Sequence, residues 1–240
     1  MNNAEMELCV DFCNKALKES AMSLDVLFLA RKEHLYAEAA ADFVKKHFQK
    51  SAIAKGERGK RPPHLDFKVY KFDYIISYLY PHIIEEWFLV LAKKAAINFH
   101  PNPYRGAGGA NWAIYNNLPK YSVICHHMVP KVDAGDIIDI RKFWIYRTDS
   151  VYSLYQRAQG YLLSMFYDIM DLILLNRELP VSKEKWMSDK LYTLKDLEKL
   201  RRVTSDMDYT EVDRRIKATE YPGFPSAYID HAGYEWELKY

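Results

Sequence analysis

Three polar side chains stand at the ends of two predicted strands in the middle of the chain. The apolar run Ala95–Ile97 leads into Asn98 and His100, whose alternation places both side chains on one face of a strand. A second run, Tyr121–Met128, leads into a turn that carries Asp133. Open α/β sheets bind their ligands at the carboxyl ends of the strands. An amide, an imidazole and a carboxylate are therefore expected together at one sheet edge, where they can donate hydrogen bonds and move protons.

The order and spacing of these residues resemble a known enzyme family. Asn-x-His-Pro ends the first strand, a loop containing Gly106 follows, and the second strand reaches His126. Asp133 and Gly135 then form an Asp-x-Gly element that begins seven residues after that histidine. This pattern resembles the formyltransferases that use 10-formyltetrahydrofolate. The resemblance extends over roughly residues 73–175, with a second patch at the C-terminus.

The resemblance implies transfer of a formyl group to an amine, with Asn98, His100 and Asp133 as the catalytic residues. A neutral amine attacks the formyl carbon, and the attack produces an oxyanion. Asn98 and a protonated His100 would donate hydrogen bonds to that oxyanion. Asp133 would hold the imidazole, raise its pKa and help to move a proton from the amine to the leaving nitrogen.

The resemblance also implies a set of residues that bind the co-substrate, and residue types suggest a second set that contacts the acceptor. The pterin of the co-substrate 10-formyltetrahydrofolate would contact a turn after one strand and a loop after another, namely His82, Ile83, Ile84, His126, Met128, Val129, Pro130 and Lys131. The acceptor would contact Tyr80, Arg105, Gly106, Trp112 and Tyr221. Arg105 would pair with a phosphate, and Trp112 or Tyr221 would stack on a base; packing roles are the alternative for these three.

The acceptor class follows from two further segments. HPNPYRGAGGANWAIYN and TEYPGFPSAYID resemble bacterial sugar N-formyltransferases, which act on dTDP-linked amino sugars of O-antigen. The preferred acceptor is dTDP-4-amino-4,6-dideoxyglucose, with the 3-amino isomer next, because nothing in the sequence reports the ring position. Methionyl-tRNA is a weaker alternative, since enzymes acting on it carry a larger C-terminal barrel. A formyl hydrolase and a non-catalytic folate or nucleotide-sugar binding module are the alternatives from other classes.

Composition excludes several other classes of function. The 240 residues have a formal net charge of +2, which provides no strong field for nucleic acid or a membrane. The three cysteines, Cys9, Cys13 and Cys125, favour a reducing compartment, and no signal peptide is recognised, so a cytoplasmic location is expected. Cys125, His126 and His127 alternate between strand faces and cannot all bind one ion, so no metal is expected.

The order of the predicted elements indicates an α/β fold. A Rossmann-like core with a mostly parallel sheet is expected over residues 1–180, followed by a small helix and β-hairpin module over 181–240. The resemblance assigns that hairpin, SAYID and YEWEL, to the subunit interface of a homodimer. Family members usually begin with a strand, whereas a helix is predicted here over Ala4–Lys18, so the first strand is expected to be missing or truncated.

Other expected elements are helices and strands typical of such a core. The helices are His34–Gln49, Glu85–Lys94, Val151–Asn176, Leu194–Leu200 and Asp208–Thr219, and the remaining strands are Leu24–Ala30, Asp73–Tyr80 and Ile137–Ile145. The basic segment KGERGKRPP, residues 55–63, fits an anionic partner or a solvated loop, and the solvated loop is preferred.

Overall fold

A computed structural model describes residues 24–62 and 70–239. The helix predicted over Ala4–Lys18, with Cys9 and Cys13, lies outside the described residues. In chain order the strands are β1 (Asp25–Arg31), β2 (Lys50–Gly56), β3 (Phe72–Tyr78), β4 (Ala92–His100), β5 (Arg105–Gly106), β6 (Lys120–His127), β7 (Ile137–Trp144), β8 (Leu191–Tyr192), β9 (Arg202–Val203), β10 (Ala227–His231) and β11 (Tyr234–Leu238). The helices are α1 (Leu35–His47), α2 (Glu86–Leu89), α3 (Gly109–Tyr115), α4 (Val151–Leu174), α5 (Leu194–Arg201) and α6 (Tyr209–Thr219).

The core is a six-stranded sheet with the order β2-β1-β3-β4-β6-β7. The strands β2, β1, β3 and β4 are parallel, whereas β6 and β7 are antiparallel to their neighbours. The expectation of an α/β fold with a mostly parallel sheet is confirmed. Within the described residues the sheet has no gap, since every interior strand is paired on both sides. The exposed backbone expected beside a missing central strand is therefore not found there.

Burial of β1 explains why its sequence is continuously apolar. Val26 and Phe28 point into the larger hydrophobic cluster, and Leu27 and Leu29 point into a smaller cluster on the other face of the sheet. A strand buried on both faces has no polar alternate positions. The two clusters therefore mark the two sides of the sheet.

Helices α1 and α4 cover the larger cluster. The buried residues of α1 are Ala37, Ala40, Ala41 and Val44, which is the spacing of one helix face. Helix α4 begins with a capping box between Ser150 and Ser153. It ends before the predicted Asn176, because that residue has a positive φ of 49° and its N–H donates to Ile173 O.

One predicted element is wrong, and one element of the structure was not predicted. The helix expected over Glu85–Lys94 is only the four residues of α2, and Ala92 already begins β4. Pairing of β4 with β3 overrides the helix propensity of its alanines and lysines. Strand β2 was missed, because its sequence KSAIAKG has little β-branched content.

The last third of the chain packs on the core. The Tyr115 hydroxyl donates to Glu211 Oε1 at 2.8 Å, and Arg214 Nη2 donates to Tyr115 O at 2.8 Å. The predicted hairpin is confirmed as β10 and β11, joined by Ala232 and Gly233. Both joining residues have positive φ, as a type I′ turn requires. The domain boundary after residue 180 stays a prediction.

No helix within residues 24–62 and 70–239 has the length and apolar character needed to cross a membrane.

Candidate functional site

An amide and two imidazoles meet where β4 ends. The antiparallel register places Asn98 opposite His126, and Asn98 Nδ2 lies 3.1 Å from His126 Nε2. His100 lies on the same face of β4 as Asn98, and its ring centroid is 6.2 Å from that of His126. Both histidines are buried. The sheet register alone therefore assembles most of the predicted site.

Asp133 completes the cluster from the turn between β6 and β7. Its Oδ1 atom lies 3.7 Å from both His100 Nδ1 and His126 Nε2, and its Oδ2 accepts the Gly106 N–H at 2.9 Å. Asp133 has a φ of 45°, in the left-handed region. The tight turn also requires Gly135, because a Cβ there would lie 1.9 Å from His127 O.

Backbone carbonyls determine one nitrogen of each ring that carries a proton. Tyr104 O lies 2.8 Å from His100 Nε2, and His127 O lies 2.8 Å from His126 Nδ1, so each of these nitrogens donates its proton. Burial lowers the pKa of His126 to about 4, and its ring is therefore neutral near pH 7. Its Nε2 accepts a hydrogen bond from Asn98, which leaves the second Asn98 N–H available to a ligand.

A cavity of about 850 Å³ opens in front of this cluster. Asn98, His100 and Asp133 all line it, and so does Gly106. Within the described residues, Asp133 is the only carboxylate in its lining. The three predicted catalytic side chains therefore face one shared cavity, although their roles remain a prediction.

One wall of the cavity is apolar. Tyr80, Ile84 and Met128 line the cavity and pack against the smaller hydrophobic cluster. Exposed apolar side chains extend this wall, with Ile83 at 75% and Val129 at 39% exposure. The predicted residues His82 and Pro130 also line the cavity, whereas Lys131 does not.

The opposite wall is cationic and aromatic. Tyr155 and Tyr221 pack against the larger cluster, on the other side of the sheet, and line the cavity. Arg31, His34 and Arg58 line it as well. Neither Arg31 nor Arg58 forms an ion pair with another residue in the described part of the chain. This wall therefore presents uncompensated positive charge to the cavity.

His34 has an unusual environment in this wall. It precedes α1 without capping it, its Nδ1 is buried with no hydrogen-bond partner among residues 24–62 and 70–239, and its Nε2 lies 3.4 Å from the Tyr155 hydroxyl. Burial, and secondarily the charge of Arg31, lowers the pKa of His34 to about 4. The predictions did not include Arg31, His34 or Tyr155. Arg58 belongs to the basic segment of residues 55–63, for which a solvated loop is the preferred expectation. Its place in the cavity lining instead favours contact with an anionic partner.

Two predicted acceptor contacts are wrong. Arg105 is buried, and its guanidinium donates from Nε to Asp133 O at 2.7 Å, from Nη2 to Val132 O at 2.7 Å and from Nη1 to Asp189 O at 2.6 Å. All three of its nitrogens are thus engaged with backbone carbonyls, and Arg105 does not line the cavity. Trp112 is also buried, donates to Ala107 O at 3.1 Å and packs on Tyr192. Both residues are structural.

A tryptophan that the sequence did not single out packs on the histidines. The Trp186 ring lies 5.5 Å from His100 and 4.9 Å from His126, between ring centroids. Its indole N–H donates to Gly135 O at 3.1 Å. A lone tryptophan in a polar, lysine-rich segment gives no pattern from which this contact could be predicted.

Alternation along β6 separates Cys125 from the histidine beside it. Cys125 is buried in the larger cluster, where burial raises the pKa of its thiol, whereas His126 faces the site. Among the described residues, no group of three or more His, Cys, Asp or Glu side chains is arranged to hold a metal ion.

Comparison with known proteins agrees with this geometry. Residues 9–165 match the family described as formyl transferase. GDP-perosamine N-formyltransferases of Brucella melitensis and Brucella abortus are each 27% identical over 160 residues, which is 65% of this chain. The match spans 60% of the length of these curated relatives.

Solved structures share the fold. A 4-N formyltransferase from Francisella tularensis superposes with a TM-score of 0.73 at 18% identity, covering 91% of this chain and 98% of that one. An N-formyltransferase from Helicobacter canadensis, in complex with folinic acid and dTDP-3-aminofucose, gives a TM-score of 0.70 at 18% identity and covers 88% and 85%.

Proposed function

Because the chain belongs to the formyl transferase family, we propose that it transfers a formyl group from 10-formyltetrahydrofolate to the amine of a nucleoside-diphosphate-linked amino sugar. One observation carries the proposal. Asn98, His100 and Asp133 line a single cavity between an apolar wall and a cationic wall. The apolar wall suits a pterin, and the cationic wall suits a diphosphate.

The apolar wall has the properties of a ring-binding surface. Ile83 and Val129 expose apolar area that a flat ring would cover. His82 Nε2 is buried and has no hydrogen-bond partner in the described part of the chain, so it offers a hydrogen bond to the edge of such a ring. Ring burial against apolar side chains, with a few polar contacts at the edge, is the usual pattern of small-molecule recognition.

The cationic wall has the properties of a nucleotide-binding surface. Arg31 and Arg58 provide guanidinium groups, which suit the geometry of phosphate oxygens. Tyr221 stands beside them, with its ring centroid 5.4 Å from that of Phe224 and 6.2 Å from that of Tyr155. This aromatic group offers a face on which a base stacks. We therefore retain Tyr221 in the acceptor-binding role predicted for it.

The central cluster performs the transfer. As the amine nitrogen bonds to the formyl carbon, the carbonyl oxygen becomes negative, and the free Asn98 N–H and a protonated His100 stabilise it. Asp133 stabilises positive charge on His100 and accepts the proton released by the amine nitrogen. The oxyanion then returns to a carbonyl as the carbon–nitrogen bond of the donor breaks, and the leaving nitrogen takes from Asp133 the proton that the amine released. His126 stays neutral and keeps the Asn98 amide oriented.

The acceptor that we propose is dTDP-4-amino-4,6-dideoxyglucose, for O-antigen synthesis in the cytoplasm. The names of the similar proteins supply the alternatives, since relatives act on GDP-perosamine and a structural neighbour is in complex with dTDP-3-aminofucose. A dTDP-3-amino sugar is the next candidate. Methionyl-tRNA has less support, because the charged residues that we identify line a cavity and do not form an extended surface.

The decisive experiment incubates the protein with 10-formyltetrahydrofolate and dTDP-3-amino, dTDP-4-amino and GDP-linked 4-amino sugars. Product masses are then measured. A gain of one formyl group on one sugar is expected. Consumption of the folate without a formylated sugar would instead indicate a hydrolase. Binding of folate and nucleotide without turnover of either would indicate a non-catalytic module.

The arginine wall has its own test within this proposal. Arg58→Gln should weaken dTDP or GDP binding about 10-fold or more, and leave binding of 5-formyltetrahydrofolate unchanged, because only the nucleotide carries a diphosphate. Arg147→Gln is the matched control, since Arg147 is exposed and does not line the cavity. If the unaltered protein, Arg58→Gln and Arg147→Gln bound the nucleotide with equal affinity, Arg58 would not be a nucleotide-binding residue.

The proposal includes a homodimer formed through the hairpin of β10 and β11. Tyr234 and Trp236 are 70% and 59% exposed on β11, and a second copy would cover them. Trp236→Glu should therefore lower the mass measured by light scattering from that of a dimer to that of a monomer. A monomeric mass of the unaltered protein would contradict this part of the proposal.

A further inference from the structure

Residues 181–193, between α4 and α5, form a segment that crosses the outside of the site, and we name it the strap. Its Ser182 N–H donates to Ile137 O at 3.0 Å, and its Met187 N–H donates to Pro103 O at 3.2 Å. Asp189 O accepts from Arg105 at 2.6 Å. The strap is thereby bonded to the start of β7, to the loop that follows β4 and to β5.

Trp186 is the strap residue that reaches the two histidines. The planes of its ring and those of His100 and His126 are inclined by 65° and 77°, so each contact is edge-to-face. Trp186 is not among the residues that line the cavity, so the indole covers the imidazoles from outside. Its N–H is bonded to Gly135 O, two residues beyond Asp133.

We infer that Trp186 is a positioning residue, which keeps His126 dry and neutral so that His126 orients the Asn98 amide, and which fixes His100 against Asp133. The chain of contacts is continuous. Trp186 packs on His126, and His126 Nε2 accepts from Asn98 Nδ2. A protonated His126 has no lone pair for that bond, so the amide would lose its fixed orientation.

Several charged or titratable groups face His126. Asp133 Oδ1 lies 3.7 Å from its Nε2, His100 lies across the cluster, and His127 is its neighbour on β6. Asp133 raises the pKa of His126, whereas His100 and His127 lower it, and desolvation is the largest cause of the lowered value. The cover that removes water therefore matters more to the neutral state than these neighbouring charges do.

The first test does not depend on the proposed function. The imidazole nitrogens of His126 are followed by NMR between pH 4 and 8 in the unaltered protein, in Trp186→Ala and in Trp186→Phe. His126 should remain neutral to about pH 5 in the unaltered protein, and in Trp186→Ala its midpoint should rise towards 6.5 as water enters. An unchanged midpoint in a folded Trp186→Ala variant would overturn the inference.

Trp186→Phe keeps an aromatic ring over the histidines and loses the bond to Gly135. The His126 midpoint in Trp186→Phe should stay close to the value in the unaltered protein. This variant separates the effect of the aromatic ring from that of the hydrogen bond to Gly135. It also provides a second test if Trp186→Ala fails to fold. A midpoint as high as that of Trp186→Ala would show that the ring is not the cover. Trp144→Ala is the control, because Trp144 is 57% exposed on the edge strand β7 and should leave the midpoint unchanged.

The kinetic test rests on the proposed function. In Trp186→Ala, kcat should fall about 30-fold with KM for donor and acceptor changed less than about threefold, since the contact acts on the catalytic groups and not on the walls. The acidic limb of its kcat profile should move upward with the His126 midpoint. A rise in both KM values with unchanged kcat would overturn the positioning role. Absence of any turnover in the unaltered protein would reject the proposed function alone and leave the NMR result standing.

Discussion

Arg105 holds Asp133 by its backbone and not by its charge. The guanidinium Nε lies 2.7 Å from Asp133 O, whereas the Asp133 carboxylate points to His100, His126 and the Gly106 N–H. An arginine that paired with the carboxylate itself would neutralise it. Bonding to the carbonyl keeps the turn in place and leaves the negative charge facing the imidazoles.

Replacing this arginine should destabilise the protein. Arg105→Lys keeps the charge but cannot reach three carbonyl oxygens at once, so buried acceptors lose their donors. We expect the free energy of unfolding to fall by about 2–4 kcal/mol, measured by urea denaturation. Arg147→Lys, at an exposed position, should change it by less than about 0.5 kcal/mol. Equal midpoints of urea denaturation for Arg105→Lys and Arg147→Lys would mean that the hydrogen bonds of Arg105 contribute no stability.

The proposed catalytic groups should be separable from the fold by single substitutions. Asp133→Asn retains the size of the side chain and removes its charge, so kcat for formyl transfer should fall about 100-fold or more. Asn98→Ala and His100→Ala should lose a similar factor, because each removes a donor to the oxyanion. Circular dichroism would check that the variants are folded. Rates within about threefold of the original in any variant would remove that residue from the mechanism.

Stability should decrease in mild acid because of His126. Its pKa is about 4 when folded and 6.5 in the reference state, so the unfolded chain binds a proton first as the pH falls. The contribution of His126 to stability is therefore fully present above pH 6.5, and between pH 6.5 and 4 it decreases by about 1 kcal/mol per pH unit.

The variant His126→Gln isolates that contribution. It cannot be protonated, so its free energy of unfolding should depend less steeply on pH, by up to about 1 kcal/mol per unit over the same interval. His34, whose pKa is lowered in the same direction, remains in both proteins and accounts for part of the slope that persists. If the free energy of unfolding depended on pH equally steeply in both proteins, the conclusion that His126 is buried from water and neutral would be wrong.

Two glycine-to-alanine changes should have opposite signs. In Gly135→Ala the new Cβ would lie 1.9 Å from the backbone oxygen of His127, which cannot move away without breaking the β6–β7 turn. We expect a loss of more than about 3 kcal/mol or no soluble protein. Gly160→Ala, in α4 with nothing within 4 Å of the added carbon, should gain about 0.5–1 kcal/mol. Thermal melting of both proteins provides the comparison.

The sequence predicts what depends on local pattern. Asn98 and His100 share a face because strands alternate, and Asp133 follows the next strand at a spacing that one family uses. The hairpin that Ala232 and Gly233 join was likewise predicted, from the alternating runs SAYID and YEWEL on either side of them. These features need only a few neighbouring positions to specify them.

Features that depend on distant contacts were missed. Lys93 and Lys94 look helical, but pairing with β3 makes them strand. Arg105 looks like a phosphate ligand from its place beside a glycine loop, and only the positions of Val132, Asp133 and Asp189 show that it is a clamp. Arg31 and His34 likewise acquire a common role only when Tyr155, more than a hundred residues later, is placed beside them.

The position of the strap in the chain has a consequence for biosynthesis. Synthesis on the ribosome proceeds from the N-terminus, so the strands that bear Asn98, His100, His126 and Asp133 emerge before Trp186. Until about residue 193 has left the ribosome tunnel, the imidazoles lack their cover and Arg105 lacks the Asp189 carbonyl. A nascent chain can therefore form its sheet early, yet it becomes competent only when its last quarter folds back over it.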